Sequence, residues 1–443
     1  MEATLLYTIE TYGCQMNVHE SEEIAGILEY LGYQETKDVT KADIVVFNTC
    51  CIRDNAEQKI FGNIGALKKV KRANPDLIVC VVGCMSQQKN YADIIKKRYP
   101  FVNIILGTAN SYKLEEYIKI IASKKKKTII DVSTDEKPAI QEDVKMYRTS
   151  GTNAWINIMY GCNNFCTYCI VPYVRGRERS RLPENIYKEF VSLVNEGYKE
   201  ITLLGQNVNS YGHDLEAECT FAELLRMVDS VEGDHRIRFM TNHPKDLTDD
   251  VIDVIAQSTH ICHSIHLPIQ SGSSRVLKLM NRHYTKEQYL ALVERIRAKI
   301  PDTGITTDIM VGFPGESEED FLDTIDLVEK VRFSTAFTFV YSVRKGTKAA
   351  TMEQVPDDIK KDRIQRLIKV QNRITKELSR DYEGNTYRIL CEDMNEKLEG
   401  KALGRTDSGR LVNFDGTPDM IGTFVNVKIE HSQSATLFGE VVE

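Results

Sequence analysis

Chemistry in this chain of 443 residues starts from its eleven cysteines. Three of them lie in Tyr160-Gly161-Cys162-Asn163-Asn164-Phe165-Cys166-Thr167-Tyr168-Cys169, a Cys-x3-Cys-x2-Cys spacing just after a strand-like run. Three thiolates in one tight loop can hold three corners of a [4Fe–4S] cluster and leave the fourth iron open to a small molecule. Zinc sites usually close with four ligands, and no fourth Cys or His stands nearby. A second set is dispersed: Cys14 in Thr11-Tyr12-Gly13-Cys14-Gln15-Met16-Asn17, Cys50 in Asn48-Thr49-Cys50, and Cys84 in Gly83-Cys84-Met85. Each follows a strand-like run. In an open parallel sheet, ligands bind outside the carboxyl ends of the strands, so these thiols reach one edge and could hold a second cluster. Three buried core cysteines are the alternative. Cys51 adjoins Cys50, and spacing alone does not choose between them. Cys80 lies inside an apolar run, and Cys219, Cys262 and Cys391 have no companion at ligand spacing, so these four read as structural.

The elements that must position these thiols follow from periodicity. Residues 1–122 alternate strands (Leu5–Thr11, Asp43–Asn48, Leu77–Val82, Val102–Leu106) with helices. Ile24, Ile27, Leu28 and Leu31 mark one apolar helix face, and Ile60, Ile64 and Leu67 another. This rhythm predicts a parallel α/β sheet domain. Residues 123–150, with the run Lys124–Lys127, read as a surface excursion and linker. From Trp155 a second series supplies six strands: Trp155–Tyr160, Glu200–Leu204, Arg236–Thr241, Ser264–Pro268, Thr306–Val311 and Thr335–Tyr341. Amphipathic segments such as Glu184–Glu196, Leu247–Ala256 and Phe321–Val331 separate them. Six units predict a partial (β/α)6 barrel. Lys360–Arg380 is a helix with eight basic and two acidic residues, and Arg366, Lys369, Arg373, Lys376 and Arg380 share a face. Five short strands follow, from Tyr387–Glu392 to Ala435–Val441, which suggests a small OB-like barrel. Three domains result: 1–122, 151–380 and 381–443.

Composition narrows the class. With 57 Lys and Arg against 64 Asp and Glu, the net charge of −7 excludes a globally basic nucleic-acid binder but not a local basic groove. No long apolar run predicts a membrane helix, and the acidic opening lacks a secretory n-region. An odd cysteine count without an export signal argues for a reducing compartment, the cytoplasm, and against a disulfide framework.

The radical S-adenosylmethionine superfamily shares the Cys-x3-Cys-x2-Cys loop with an aromatic before its last Cys, here Tyr168. Taken with Gly-Cys-Gln-Met-Asn, Asn-Thr-Cys and Gly-Cys-Met, the chain resembles the methylthiotransferase family throughout. The likeness continues through Val171-Pro172-Tyr173-Val174-Arg175-Gly176-Arg177-Glu178-Arg179-Ser180-Arg181, Leu203-Leu204-Gly205-Gln206-Asn207, His266-Leu267-Pro268-Ile269-Gln270-Ser271-Gly272-Ser273 and Asp308-Ile309-Met310-Val311-Gly312-Phe313-Pro314-Gly315-Glu316. The last domain resembles the TRAM module, with Gly404-Arg405-Thr406 and Asn413-Phe414. Within the family, Cys-Thr-Tyr-Cys-Ile-Val-Pro-Tyr-Val-Arg-Gly and His-Leu-Pro-Ile-Gln-Ser-Gly resemble the branch acting on N6-isopentenyladenosine at position 37 of tRNA, beside the anticodon. The branches acting on threonylcarbamoyladenosine and on a ribosomal protein are the alternatives, and a non-catalytic iron–sulfur RNA-binding sensor is a rival from another class. Thr241-Asn242-His243-Pro244 departs from the family's usual Thr-Ser-His-Pro. Tyr341-Ser342-Val343-Arg344-Lys345-Gly346-Thr347 lacks the prolines that usually flank its Arg.

The resemblance implies two [4Fe–4S] clusters: a radical cluster on Cys162, Cys166 and Cys169, and an auxiliary cluster on Cys14, Cys50 and Cys84, the Asn-Thr-Cys pattern selecting Cys50. It implies two S-adenosylmethionine molecules per turnover, one methylating the sulfur and one yielding the radical that removes hydrogen from C2 of the adenine. Gly205, Gln206 and Asn207, with Gly312 and Gly315, are the expected contacts to that cosubstrate, although tight turns demand similar glycines. Arginine suits phosphate clamping. Arg175, Arg177, Arg179, Arg181, Arg366, Lys369, Arg373 and Arg405 are therefore candidate contacts to the tRNA anticodon stem-loop, with solvated surface as the plain alternative. Residues 381–443 carry six basic and twelve acidic residues, so the basic helix is expected to supply charge that the small barrel lacks. Other expected partners are an electron donor such as flavodoxin or ferredoxin and a sulfur or cluster donor, with no membrane.

Overall fold

The computed structural model describes residues 4–442 apart from 52–53, 89, 134, 136, 143–145, 149 and 217–218, together with the backbone but not the side chains of 54–56. The chain forms two compact units. One comprises residues 1–149, 159–163 and 170–181, and the other residues 150–158, 164–169 and 182–443.

The first unit is built on an all-parallel six-stranded sheet. In spatial order its strands are Tyr33–Glu35, Leu5–Thr11, Ile44–Thr49, Ile78–Gly83, Ile104–Leu106 and Ile129–Asp131. Ile44–Thr49 and Ile78–Gly83 are buried at every position, as strands covered by helices on both faces must be. The helix Gln15–Tyr30 packs Ile24, Ala25 and Leu28 on one face, while Ile60, Ile64 and Leu67 of the helix Asp54–Ala73 pack in a separate cluster. Two edge strands were not expected. Ile129–Asp131 lies in the segment read as a linker, where it pairs in parallel with Ile104–Leu106. Like Tyr33–Glu35 it is three residues long, too short to display a period. Residues 170–181, assigned by sequence to the second domain, also pack within this unit.

In the second unit Asn153–Asn157, Glu200–Leu204 and Arg236–Phe239 form one parallel sheet, and Ser264–His266, Gly304–Val311 and Thr335–Val340 form another. A parallel bridge between Ile237 and Ile261 joins them, giving the six-stranded partial barrel. The run Trp155–Tyr160 is two elements, because Met159–Tyr160 turns away to pair with Arg179–Ser180. Five strands, Thr386–Met394, Lys401–Arg405, Leu411–Asp415, Thr436–Val442 and Phe424–Gln433, close the small C-terminal barrel around Ile389, Val412, Phe414 and Val427.

The small barrel is seated against the amino-terminal end of the larger one. Buried Glu200 accepts from Arg236 Nε at 2.5 Å and from Arg238 Nε at 2.7 Å. Arg236 continues to Glu392 at 3.2 Å and to the Arg405 carbonyl at 2.8 Å. Arg238 donates to the carbonyls of Thr406 and Asp407. A Cβ on Gly304 would stand 2.2 Å from the Ser408 carbonyl oxygen, so the loop after Arg405 touches the barrel floor directly. Burial opposes ionisation of Glu200, but Arg238 and Arg236 outweigh it and hold the carboxyl down at about 2.

Replacing Arg236 by Met takes one of two cationic partners from each buried carboxylate, leaving Glu200 on Arg238 and Glu392 on Arg405. The loss therefore lies toward the lower end of the cost of removing one partner of a buried ion pair, about 3–5 kcal/mol. Denaturant unfolding of Arg236→Met will show a loss of that order. Because the Glu200 carboxyl lies below its ordinary 4.5, its contribution is fully present above that value and is lost as pH falls toward about 2. A Glu200→Gln variant will show a flatter stability profile across that window.

Candidate functional site

The three dispersed cysteines meet at one edge because of strand register. Thr11 is paired with Asn48, and Thr49 with Gly83, so three adjacent strands end level. Cys14 opens the helix Gln15–Tyr30, Cys50 directly follows Thr49, and Cys84 directly follows Gly83. The residues around them in the motifs have identifiable work. Asn17 Nδ2 donates to Asn48 Oδ1 (3.2 Å) and to the Thr49 carbonyl (3.4 Å), while Asn48 Nδ2 donates to the Asn17 carbonyl (2.8 Å) and to Ser21 Oγ (3.0 Å). These buried amides tie the Cys14 loop to the Cys50 loop. Gly13 and Gly83 have φ of +127° and +100°. A Cβ on Gly13 would stand 2.7 Å from Cys50 Cβ, and one on Gly83 would stand 2.6 Å from the Thr49 carbonyl oxygen. Only glycine permits both the backbone conformation and the approach.

Cys51 is also at this edge. It packs with Cys84, Ile170 and Val174, and its thiol is hydrogen-bonded to Cys84. That bond and the nearby Arg175 hold the Cys84 thiol below its ordinary value, although burial opposes them. Cys50 is 1% exposed and belongs to the apolar cluster of Tyr12, Phe47 and Met85. None of the eleven cysteines is in a disulfide. Among the described residues no three His, Cys, Asp or Glu side chains stand at metal-ligating separation. The donor set nevertheless suits a thiophilic cluster: buried Cys50 and Cys84 and half-buried Cys14 at rigid strand ends, with the Cys84 thiol held below its ordinary value.

Arg175 ends the short helix Val171–Arg175, where it is 7% exposed. Its guanidinium makes a two-pronged pair with Glu20, at 2.6 and 3.2 Å. Burial opposes its charge, and Cys84 and Glu20 more than restore it. A phosphate-facing role for Arg175 therefore gives way to an internal one beside the thiols. Arg181 is likewise buried, on Glu142 at 2.7 Å. Arg179 donates to the carbonyls of Pro138 (2.5 Å) and Arg175 (2.9 Å). Arg177 is half-buried near Asp135, Lys137 and Asn163.

The Cys-x3-Cys-x2-Cys loop is anchored at both ends. On the side of the first unit, the Cys162 amide donates to the Gly176 carbonyl at 3.2 Å, and Glu178 accepts from the Asn163 backbone at 3.0 Å and side chain at 3.3 Å. A Cβ on Gly161 would stand 2.0 Å from the Arg177 carbonyl oxygen. On the side of the second unit, the Cys169 amide donates to the Cys166 carbonyl at 2.9 Å, and Thr167 is held by the carbonyls of Leu279 and Met280, both at 3.0 Å. Asn281 donates to the carbonyls of Asn164 and Phe165. Arg282, 5% exposed, donates to Cys166 Sγ at 3.5 Å, to the Pro268 carbonyl at 2.8 Å and to Tyr284 Oη at 3.0 Å. The sequence reading missed the stretch Leu279–Arg282. Its only signal was a polar Asn-Arg pair directly after an apolar helix end, which is common at surfaces.

Of the expected cosubstrate contacts, Gly205, Gln206 and Asn207 follow Glu200–Leu204. Asn207 Nδ2 donates to Asp246 at 2.7 Å, while Asn207 Oδ1, Asn209 Nδ2, Asn242 Oδ1 and His243 Nε2 are buried with no hydrogen-bond partner among the described residues. Unmet polar atoms at the carboxyl ends of barrel strands fit a polar ligand. Asn242, the departure from the family's Ser, uses its extra reach to donate to the His266 carbonyl at 2.8 Å. Burial, with Arg282 adding to it, pushes the His243 imidazole far down, so it is a neutral ring. Gly312 has a packing reason instead: a Cβ there would stand 2.4 Å from Lys360 Cγ, and its amide donates to Glu316 at 2.7 Å. Gly315 turns at φ +80° near Leu279.

The basic helix Asp357–Arg380 spends part of its charge internally. Arg366 is paired with Glu318 (2.7 Å) and Asp362 (3.0 Å), and Arg373 with Glu329 and Glu377 (3.0 Å). Lys369 is exposed, and Arg405 is paired with Glu392. Cys80 (0%), Cys262 (3%) and Cys391 (0%) are buried, while Cys219 is half-buried. Burial pushes the Cys262 thiol up to about 12 and the Cys391 thiol up to about 11.

A cysteine-rich loop after the first strand of a partial barrel, unmet polar atoms at the strand ends and a five-stranded barrel beneath define a radical S-adenosylmethionine protein with an appended module. Residues 156–328 match the Radical SAM superfamily, 6–107 the uncharacterized protein family UPF0004 and 380–442 the TRAM domain. The fold is similar to that of a radical S-adenosylmethionine methyltransferase, TsrM, from Kitasatospora setae, with a TM-score of 0.59 and 14% identity over 79% of this chain and 75% of that one. It is also similar to the cobalamin-dependent S-adenosylmethionine radical enzyme OxsB, with a TM-score of 0.51 and 12% identity over 83% and 56% of the two chains. Two curated relatives named tRNA-2-methylthio-N(6)-dimethylallyladenosine synthase share far more sequence. One, from Clostridium beijerinckii, is 55% identical over 98% of this chain and 96% of its own. The other, from Clostridium tetani, is 54% identical over the same shares. The chain belongs to the tRNA-2-methylthio-N(6)-dimethylallyladenosine synthase family. Membership implies a tRNA-modifying enzyme that uses S-adenosylmethionine and a [4Fe–4S] cluster. Among the described residues no helix is long and apolar enough to cross a membrane.

Gly83→Ala tests whether the glycines aim the thiols. Forcing an L side chain into this conformation costs about 1–3 kcal/mol. Reconstituted Gly83→Ala protein will fold but bind less iron than the parent, the deficit falling on the set that includes Cys84.

Proposed function

We propose that this chain inserts sulfur at C2 of N6-isopentenyladenosine, the nucleoside at position 37 of tRNA, and methylates it to give 2-methylthio-N6-isopentenyladenosine. The observation that carries the reading is the level ending of three strands on Gly13–Cys14, Cys50 and Gly83–Cys84. It occurs in a chain that also bears the Cys162, Cys166, Cys169 loop and is 55% identical to a relative of that name. Cys162, Cys166 and Cys169 would hold the radical cluster, and Cys14, Cys50 and Cys84 an auxiliary one. When bound, the clusters supply the electron that cleaves S-adenosylmethionine homolytically and a site for the sulfur to be transferred.

The protein's own groups then have definable tasks. Asn17 and Asn48 hold the auxiliary thiols in register. Gly205, Gln206 and Asn207, joined by Asn209, Asn242 and His243, would receive the polar part of S-adenosylmethionine, with His243 neutral and able to accept or donate one hydrogen bond. Arg177 and Lys369 are candidates for tRNA phosphates, and Arg366, Arg373 and Arg405 would reach them by exchanging carboxylate partners. The segments 1–122, 151–380 and 381–443 would act as auxiliary-cluster, radical and TRAM domains. A one-electron donor such as flavodoxin or ferredoxin and a sulfur or cluster donor would complete the cycle in the cytoplasm.

Anaerobic turnover of reconstituted protein with reductant, S-adenosylmethionine and tRNA carrying isopentenyladenosine, followed by nucleoside mass spectrometry, will show the gain of one methylthio group. Cys84→Ala will lose that product while still forming 5′-deoxyadenosine, and Cys162→Ala will lose both. 5′-Deoxyadenosine without any methylthio nucleoside in the parent protein would redirect the search to threonylcarbamoyl tRNA or a ribosomal protein.

A further inference from the structure

A buried arginine stands against a sulfur in each cysteine set, Arg175 at Cys84 and Arg282 at Cys166, and the two differ in their partners. Arg175, beside Cys84, gives both ends of its guanidinium to the Glu20 carboxylate, at 2.6 and 3.2 Å. Its charge is neutralised within the protein. Arg282, beside Cys166, has three partners: Cys166 Sγ at 3.5 Å, the Pro268 carbonyl at 2.8 Å and Tyr284 Oη at 3.0 Å. Among the described residues no carboxylate is paired with it. Tyr284, itself buried, has its phenol pushed up and stays neutral. A guanidinium that is 5% exposed with only neutral oxygens and a sulfur around it is a charge awaiting an anion.

A [4Fe–4S] cluster on three thiolates carries one net negative charge when oxidised and two when reduced, so an uncompensated cation on a ligand sulfur favours the reduced form. Charge and hydrogen bonds to the sulfurs are among the factors that set such potentials. Resting on the ligand assignment above, we propose that Arg282 raises the reduction potential of the cluster on Cys162, Cys166 and Cys169, while the Glu20-neutralised Arg175 leaves the auxiliary cluster harder to reduce. One electron from a low-potential one-electron donor then enters the radical cluster first. The donor is oxidised by one electron, the radical cluster gains it, and the auxiliary cluster keeps its oxidised charge. Arg282 in this role is a tuning residue that acts through Cys166.

The test is a redox titration followed by electron paramagnetic resonance on the full-length protein in two backgrounds. Cys14→Ala/Cys50→Ala/Cys84→Ala retains the radical cluster, and Cys162→Ala/Cys166→Ala/Cys169→Ala retains the auxiliary one. In the first background, Arg282→Met is expected to lower the reduced-to-oxidised ratio at fixed poise about tenfold, roughly 59 mV for a one-electron couple. Arg282→Lys, which keeps the charge, is expected to restore most of it. In the second, Glu20→Gln is expected to raise the ratio and Arg282→Met to leave it unchanged. An unchanged ratio for Arg282→Met with iron content preserved overturns the proposal, as does an equal change in both backgrounds. Should Arg282→Met fail to load iron, an unchanged Glu20→Gln ratio overturns it alone. Iron analysis of the triple variants separates this failure from that of the ligand assignment, since a wrong assignment would leave the iron count of either background undiminished.

Discussion

Thiolates brought close together repel one another and lose hydration, so the cluster ligation proposed for Cys14, Cys50 and Cys84 requires a rigid frame beneath them. In the first unit that rigidity comes from three parallel strands ending in one row, stitched by the Asn17–Asn48 amides and closed by two glycines with no room for a side chain. The motif residues around each cysteine are therefore backbone engineering. Glycine makes the turn, asparagine satisfies the loop, and cysteine occupies the position that results.

The Cys-x3-Cys-x2-Cys loop meets the same demand differently. It has no regular structure of its own, so its carbonyls and amides are taken up by neighbours: Gly176 and Glu178 around Cys162, and Leu279 to Arg282 around Cys166. Backbone polar groups in a buried loop must find partners, and these contacts account for them.

Charge is distributed by the same economy. The acidic C-terminal barrel looked ill-suited to RNA, yet its Glu392 and the loop at Thr406 and Asp407 receive Arg236 and Arg238 from the barrel above. Arg366 and Arg373 on the basic helix answer Glu318 and Glu329. Part of what composition presents as a charge imbalance between segments is complementarity between them. A stripe of one sign in a sequence has two readings until its opposite has been located.

Local pattern was enough for the parallel sheet, the six-stranded partial barrel and the five short strands that close after it, because period, spacing and turn chemistry are carried by residues near one another in the chain. It was enough, too, to see that the Cys14, Cys50 and Cys84 runs end at one edge. Three-residue strands such as Ile129–Asp131 escaped it because their stability comes from the neighbouring strand rather than from any period of their own. Tertiary structure alone decided that Cys51 meets Cys84, that Arg175 turns inward to Glu20, that Gly312 yields to Lys360 and that Arg282 reaches Cys166. Arg282 stands 116 residues from that sulfur along the chain. Nothing in a local spacing encodes such a pair, since burial and charge compensation are properties of what the fold brings together.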